Sequence, residues 1–323
     1  MNFRFFGALL ALSMVCSPVA GAQDNYPDKP IQIVVPYPPG GPSDTLARLI
    51  GQSLSSELGQ PVIIENKAGG AATIGTGYVA RQAPDGYTLL LIAAHLVTNA
   101  ATGVKTPYDP IRDLQPVAML AKMPILVAIN PKVPADDMAS LIAWIRAQKQ
   151  PVQYASPGAG SLTQLWGELL AQSQALHLEH VPYKGSAGAA RATIAGEVPL
   201  LFDVGGITTA MIQQGKLKGI LTPGGEPAPG LPNLPTARDA GMVEMEASSF
   251  LGLVGPAHLP DNVVRKLNQA VNQALMRPDV IKAIATLGLQ PAGGKPEELR
   301  ELLASEMKRW TGVARTAGIT SPN

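Results

Sequence analysis

A buried strand, a rigid turn and a helix start follow one another without a gap in Ile31-Gln-Ile-Val-Val-Pro-Tyr-Pro-Pro-Gly-Gly-Pro-Ser-Asp44, continued by Thr45-Leu-Ala-Arg-Leu-Ile50. Ile31–Val35 is a short, β-branched apolar run, and such runs form strands covered on both faces. The prolines and glycines behind it cannot extend the strand, so the chain must turn. Leu46, Leu49, Ile50, Ser53 and Leu54 then recur at helical spacing as far as Gly59, a residue suited to the left-handed position past a helix end. A strand covered on both faces, with a helix directly behind it, leaves few folds other than layered α/β ones. The helix start also presents free backbone N–H groups and the positive end of the helix dipole. It can therefore hold an anion without an arginine.

The same unit recurs along the chain. Val62–Glu65 reads as a strand, Ala68-Gly-Gly-Ala-Ala-Thr73 as a small-residue turn into a helix reaching about Arg81, and Thr88–Ala93 as a strand after the turn Pro84-Asp85-Gly86. This β-α-β-α-β order predicts a parallel sheet with crossover helices. After Pro124 the pattern restarts, with strands at Ile125–Ile129, Gln153–Ala155, Glu179–Val181, Val198–Phe202 and Leu217–Leu221. Helices are expected between them at Ala139–Gln148, Leu162–Gln174, Gly188–Ala195 and Thr208–Gln214. A proline-rich stretch from Pro223 to Pro235 leads to a strand at Phe250–Val254 and two amphipathic helices, Asp261–Leu275 and Pro296–Ala317. The length predicts two domains, and 46% hydrophobic residues suffice for two cores. Two doubly wound sheets in one chain form a cleft, with ligands at the helix starts behind the strand ends.

Residues 1–22 have the layout of a secretory signal peptide: Arg4 in a positive n-region, an apolar run from Phe5 to Val15, and Ala20-Gly21-Ala22 as a small-x-small cleavage site. Cleavage after Ala22 would leave Gln23 as the mature N-terminus. The apolar run is short for a membrane span. Bulky Val15 before Cys16 argues against lipoprotein processing. Cys16 is the single cysteine, so the mature chain has neither disulfide nor thiolate chemistry. Losing Arg4 takes Lys+Arg from 25 to 24, equal to the 24 acidic residues, so the mature chain is formally neutral. Neutrality with 5% aromatic residues argues against nucleic-acid binding. No later run has the apolar length of a membrane span, so a soluble protein is expected, periplasmic in a cell with two membranes.

Enzyme motifs are missing. Ser161 sits in Gly-Ala-Gly-Ser-Leu, not in a Gly-x-Ser-x-Gly elbow. There is no His-Glu-x-x-His, and His177 and His180, three residues apart, have no acidic ligand cluster beside them, so no metal site is expected. Gly288–Gly294 lacks the Gly-Lys-Ser/Thr ending of a P-loop, and Pro38-Pro-Gly-Gly does not supply a dinucleotide fingerprint; no cofactor is expected. A secreted hydrolase of small acids stays as a distant alternative.

Seven segments in order carry a resemblance: Tyr-Pro-Asp-Lys-Pro-Ile (26–31), Val-Val-Pro-Tyr-Pro-Pro-Gly-Gly-Pro-Ser-Asp (34–44), Gly-Gln-Pro-Val-Ile-Ile-Glu-Asn-Lys (59–67), Pro-Asp-Gly-Tyr-Thr-Leu (84–89), Val-Pro-Tyr-Lys-Gly (181–185), Phe-Asp (202–203) and Leu-Pro-Asn-Leu-Pro-Thr (231–236). From about Tyr26 to Ile319 the chain resembles the substrate-binding receptors of tripartite tricarboxylate transporters, the Bug family. The resemblance implies a type II periplasmic binding protein: two doubly wound α/β domains with a ligand cleft between them, closing by hinge motion. Residues 23–124 and 248–323 would form one domain and residues 125–247 the other. It also implies a monomeric, non-enzymatic receptor that delivers a small organic acid to large and small membrane transporter subunits. A receptor that signals instead would present the same binding site.

Carried onto this chain, the family's ligand site lies between the first turns of the two domains. In the first, Tyr37, Gly40, Gly41 and Ser43 would meet the ligand, with Ser43 or Asp44 capping the helix. In the second, Gly160, Ser161 and Thr163 would offer backbone and hydroxyl donors, Ser161 doubling as an N-cap. Many relatives carry histidine where this chain has Gln164, which bears on ligand charge and length. Thr73 and His95 are further candidates, although a lone histidine at a strand end is more often a surface or hinge residue than a ligand contact. Tyr183 either touches the ligand or packs structurally beside solvated Lys184. Asp203 either accepts from the ligand or caps the loop through Gly205 and Gly206. The ligand stays open among dicarboxylates, tricarboxylates, amino acids, aromatic acids and neutral rings.

Overall fold

The computed structural model describes residues 25–319. The expected leader and cleavage site, and Cys16, lie outside them. The first unit forms as its sequence dictates: β1 (Ile31–Val35) is almost wholly buried, and α1 (Pro42–Leu58) starts with Pro42, whose missing N–H costs nothing there. Gly59 ends the helix in the left-handed region (φ 70°), its N–H bonded to the Ser55 carbonyl at 3.1 Å. β2 (Val62–Asn66), α2 (Thr73–Val79) and β3 (Thr88–Ala93) follow, and β2 and β3 both pair with β1 in parallel.

A seven-residue helix, α3 (His95–Ala101), then leads into β4 (Leu114–Ile129), sixteen residues long where a strand of five was expected. The prolines concealed it. Pro116 sits next to a register shift against a later strand, β9 (Ser248–Pro256), and Pro124 pairs with Ser248 at the end of that ladder; bulges and strand edges are where a strand tolerates proline. Between β4 and β9 the chain forms α4 (Met138–Arg146), β5 (Val152–Ser156), α5 (Leu162–Gln174), β6 (Leu178–Pro182), α6 (Ser186–Ala195), β7 (Leu200–Val204), α7 (Gly206–Gln213) and β8 (Lys218–Leu221). After β9 come α8 (Asp261–Leu275), α9 (Pro278–Thr286), the two-residue β10 (Gln290–Pro291) and α10 (Pro296–Thr316). The sequence reading omitted α9.

β4 joins the two halves. Residues 114–124 pair antiparallel with β9, and residues 125–129 pair antiparallel with β7 and β8. The strand order is β2-β1-β3-β9-β4-β7-β5-β6, with β8 and β10 added beside β4. The outer strands are therefore parallel, as expected for doubly wound units, while the centre is antiparallel. The cores are not separate either. One buried cluster unites Leu90 and Ile92 of β3, Ile125 and Val127 of β4, Tyr154, Trp166 and Phe202 of the middle segment, and Leu299, Leu303 and Trp310 of α10. Trp166 stands edge-on to Phe202 (5.4 Å, 86°) and donates to the Met245 carbonyl at 3.0 Å. Arg309 of α10 donates to the carbonyls of Glu246 (2.6 Å) and Glu244 (3.0 Å). The last helix thus returns to the first strands while holding the middle segment. Among the described residues no helix is long and apolar enough to cross a membrane.

Candidate functional site

A cavity of about 270 Å³ opens at the carboxyl ends of parallel strands β1, β3, β5 and β7, where open α/β sheets place ligands. One wall is the β1–α1 turn with Tyr37 and Ser43, joined by Ala93, Ala94, His95 and Thr98 at the β3–α3 junction. The other is the β5–α5 turn, Pro157–Ala159 with Ser161, Leu162 and Thr163, joined by Val204 at the end of β7. Met123 of β4 and Ser249 of β9 line it where those two strands cross between the halves.

Of the residues expected at the site, Tyr37, Ser43, His95, Ser161 and Thr163 share this cavity. Gly40, Gly41 and Gly160 belong to the same two turns but do not form its wall. Thr73, Tyr183 and Asp203 stand apart from it. The sequence reading missed Thr98, Met123, Val204 and Ser249. Thr98 lies three residues beyond His95 and becomes visible once α3 is recognised. Met123 and Ser249 meet only through the β4–β9 pairing, for which no local signal exists.

Capping of α1 differs from expectation. Its N-cap is Gly41, and no side chain caps it. Asp44 folds back, accepting from the Gly40 N–H (2.9 Å), Asn66 Nδ2 (2.9 Å), and Arg48 Nε (3.1 Å) and Nη2 (3.0 Å). Burial pushes its pKa up, but the Arg48, Gly40 and Asn66 bonds outweigh it and hold the carboxyl at about 2. Asn66 also donates to the Tyr37 carbonyl at 3.1 Å, so the carboxylate and the amide together clamp the turn. At α5, Ser161 is the N-cap, accepting from the Gln164 N–H at 3.2 Å. Gln164 spends its side-chain carbonyl on the Gly160 N–H (2.7 Å) and stays out of the cavity wall. Gly160 takes a left-handed φ of 70° in the turn ahead of α5, a conformation glycine adopts without strain.

Behind Ser161 runs a polar chain. Its hydroxyl lies 3.1 Å from Thr163 Oγ1 and 3.4 Å from Ser156 Oγ, which in turn meets His180 Nε2 at 2.6 Å. Burial lowers the His180 pKa to about 4, so the ring is neutral at pH 7 and supports the turn as a neutral partner. On the facing wall, His95 lies 5.7 Å from Tyr37, ring to ring. The surrounding cleft walls lower the His95 pKa, but the residue is exposed to solvent, which limits that effect. Burial and Tyr108 raise the Tyr37 pKa.

The outlying candidates have partners of their own. Asp203 is fully buried and accepts from Ser186 Oγ (2.6 Å) and Thr208 Oγ1, tying the starts of α6 and α7 to β7; burial raises its pKa. Tyr183 is half-buried and donates its N–H to the Ser156 carbonyl at 3.0 Å. The Thr73 N–H bonds to the Gly70 carbonyl at 3.0 Å, closing a left-handed run through Gly69, Gly70, Ala71 and Ala72, which Asn99 steadies by donating to the Ala71 carbonyl at 2.8 Å. Among the described residues no group of three His, Cys, Asp or Glu side chains is placed to hold a metal ion.

Known proteins share this architecture. Residues 46–319 match the family described as the tripartite tricarboxylate transporter family receptor, TctC. Protein BugT of Bordetella pertussis is 33% identical over 97% of this chain and 96% of its own length. The structure of MatC from Rhodopseudomonas palustris with bound malate superposes with a TM-score of 0.72, at 32% identity over 89% of this chain and 99% of that one. A second R. palustris protein, with adipate, superposes with a TM-score of 0.76, at 31% identity over 91% and 99%. The chain belongs to the tripartite tricarboxylate transporter receptor family, whose Bug-type members are periplasmic solute-binding receptors and not enzymes.

Proposed function

We propose that this receptor binds a small carboxylate in the cavity between the β1–α1 and β5–α5 turns and delivers it to the large and small membrane subunits of a tripartite tricarboxylate-type transporter. The carrying observation is the cavity's polar chemistry. The starts of α1 and α5 meet there with Ser43, Ser161 and Thr163, and no charged acid lines the wall. Helix starts and hydroxyls supply the N–H and O–H donors that a carboxylate needs. The malate and adipate carried by two relatives support the same reading.

In this reading residues 23–124 with 248–323 form one domain and residues 125–247 the other, the division falling where β4 changes partners. Tyr37, Gly40, Gly41, Ser43, His95, Gly160, Ser161 and Thr163 contact the ligand directly or border it. Thr73, Tyr183 and Asp203 serve as its scaffold. The protein is exported with cleavage after Ala22 and acts as a monomer. A thermal-shift screen of organic acids, followed by calorimetry, tests the proposal. A ligand at a hundred times its Kd stabilises the fold by about 2.7 kcal/mol. Binding of an acid recovered unchanged after incubation is the expected result. Failure of every acid to bind, or turnover of the bound acid, overturns it.

A further inference from the structure

Resting on the carboxylate reading above, we infer that His180 is a positioning residue for the ligand: through Ser156 it decides whether the Ser161 hydroxyl points back into the protein or out into the cavity, and a bound carboxylate selects the form of the imidazole that points it out. Ser161 and Thr163 line the cavity, whereas Ser156 and His180 stand behind that wall. Ser156 is fully buried and His180 half-buried. The parallel pairing of β5 with β6 sets His180 beside Tyr154, and the two rings lie 5.0 Å apart.

A hydroxyl has one proton to give and two lone pairs to receive with. Ser156 Oγ accepts the Gly158 N–H at 3.2 Å; it lies 2.6 Å from His180 Nε2, 3.1 Å from the Gly158 carbonyl and 3.4 Å from Ser161 Oγ. The imidazole, neutral at pH 7, carries one proton, on Nδ1 or on Nε2. With the proton on Nδ1, Nε2 accepts from Ser156, and the second Ser156 lone pair accepts from Ser161. With the proton on Nε2, the ring donates to Ser156 and fills that lone pair. Ser156 then turns its own proton to the Gly158 carbonyl, and Ser161 has to donate elsewhere. The Ser161 and Thr163 hydroxyls, 3.1 Å apart, now have two protons for the cavity in place of one. The Ser161 oxygen keeps its capping bond from the Gln164 N–H in both forms. A carboxylate only accepts, so it binds better to the form with two donors. The ring proton passes from Nδ1 to Nε2 by exchange with water, with no net gain or loss, and the ligand never touches the ring.

Heteronuclear NMR of the isotope-labelled histidine ring nitrogens, titrated with acetate, malate and adipate, reads the switch directly, with His180→Phe assigning the signals. The expected result is a gain of proton occupancy on Nε2 and an equal loss on Nδ1 as the acid saturates. Calorimetry on a mutant cycle separates positioning from packing. His180→Phe keeps a ring against Tyr154, but when Ser161 turns outward nothing fills the Ser156 lone pair it leaves. Acid binding should weaken about fivefold, the worth of one neutral hydrogen bond. Ser156→Ala removes the inward acceptor, and in that background the same change at His180 should leave affinity unaltered. Binding without change at the ring nitrogens, protonation of both nitrogens, or an equal loss in both backgrounds overturns the inference and leaves the carboxylate reading intact. Absence of binding by all three acids overturns both. If Ser156→Ala does not fold, the titration of the unmutated protein decides alone.

Discussion

Replacing Asp44 with asparagine removes the charge that clamps the β1–α1 turn while keeping its volume. The folded carboxyl titrates at about 2 against an ordinary 3.8, a difference that corresponds to at most about 2.5 kcal/mol. The Arg48 side chain is 52% exposed, and water screens its share, which brings the expected loss to about 1–2 kcal/mol. Lost charge-assisted bonds give a similar figure, about 1.5–3 kcal/mol before the new amide recovers part of it. The folded pKa lies below the unfolded one, so this stability is complete above about pH 4 and disappears as pH falls toward 2. Urea unfolding of both proteins at pH 7 and at steps down to pH 3 is the assay. D44N should be less stable at pH 7, and the gap should narrow below pH 4. Equal stability at pH 7, or a gap unchanged at pH 3, would refute the clamp.

Thr163→Val should cost about 1.5–3 kcal/mol of acid affinity by calorimetry with little effect on urea stability. Ser161→Ala should lose a similar affinity and also about 1 kcal/mol of stability, because it removes the α5 N-cap. Gly167→Ala should destabilise the fold by about 1–3 kcal/mol in urea unfolding, since its methyl group would come within 2.8 Å of the Tyr154 ring and 2.9 Å of Phe202. Arg309→Met should cost about 1–3 kcal/mol in the same assay, because it deletes the two bonds from α10 to the Glu244 and Glu246 carbonyls.

The elements that local physics determines were legible. β1, the body of α1 and the Gly59 stop follow from a β-branched run, apolar residues at helical spacing and a left-handed glycine, while the helix start at Pro42, ahead of the expected Thr45, was not read. α8 was readable to the residue, because its buried face, Val263, Val264, Leu267 and Val271, alternates with polar positions. α3 was not: Leu96 to Asn99 are all buried, so the short helix shows no polar stripe to reveal its period. α9 carried usable signals, Pro278 at its start and Val280 and Ile284 on one face, which the neighbouring longer helices overshadowed. The true extent of β4 depends on a strand more than a hundred residues away. The site divides along the same line. Tyr37, Ser43, Ser161 and Thr163 lie in turns with strong local signatures, whereas Met123 and Ser249 reach the cavity only through that long-range pairing. Asp203 was correctly placed at a strand end, but its Ser186 and Thr208 partners come from two separate helix starts.

Pro124 and Ser248 face each other across the β4–β9 ladder. The stretch 125–247 therefore departs and re-enters at one spot, much as a cassette is seated in a frame. A chimaera that exchanges this stretch between two relatives would be joined at two neighbouring points, and both seams would lie within paired backbone rather than in loops. The recipient would also have to match the donor along α10, where Gln172 of α5 donates to the Val313 carbonyl and Arg309 donates to the Glu244 and Glu246 carbonyls, and in the buried cluster the two parts share. Receptors assembled in this way would combine one parent's α1 pole with another's α5 pole, so ligand preference could be recombined in halves.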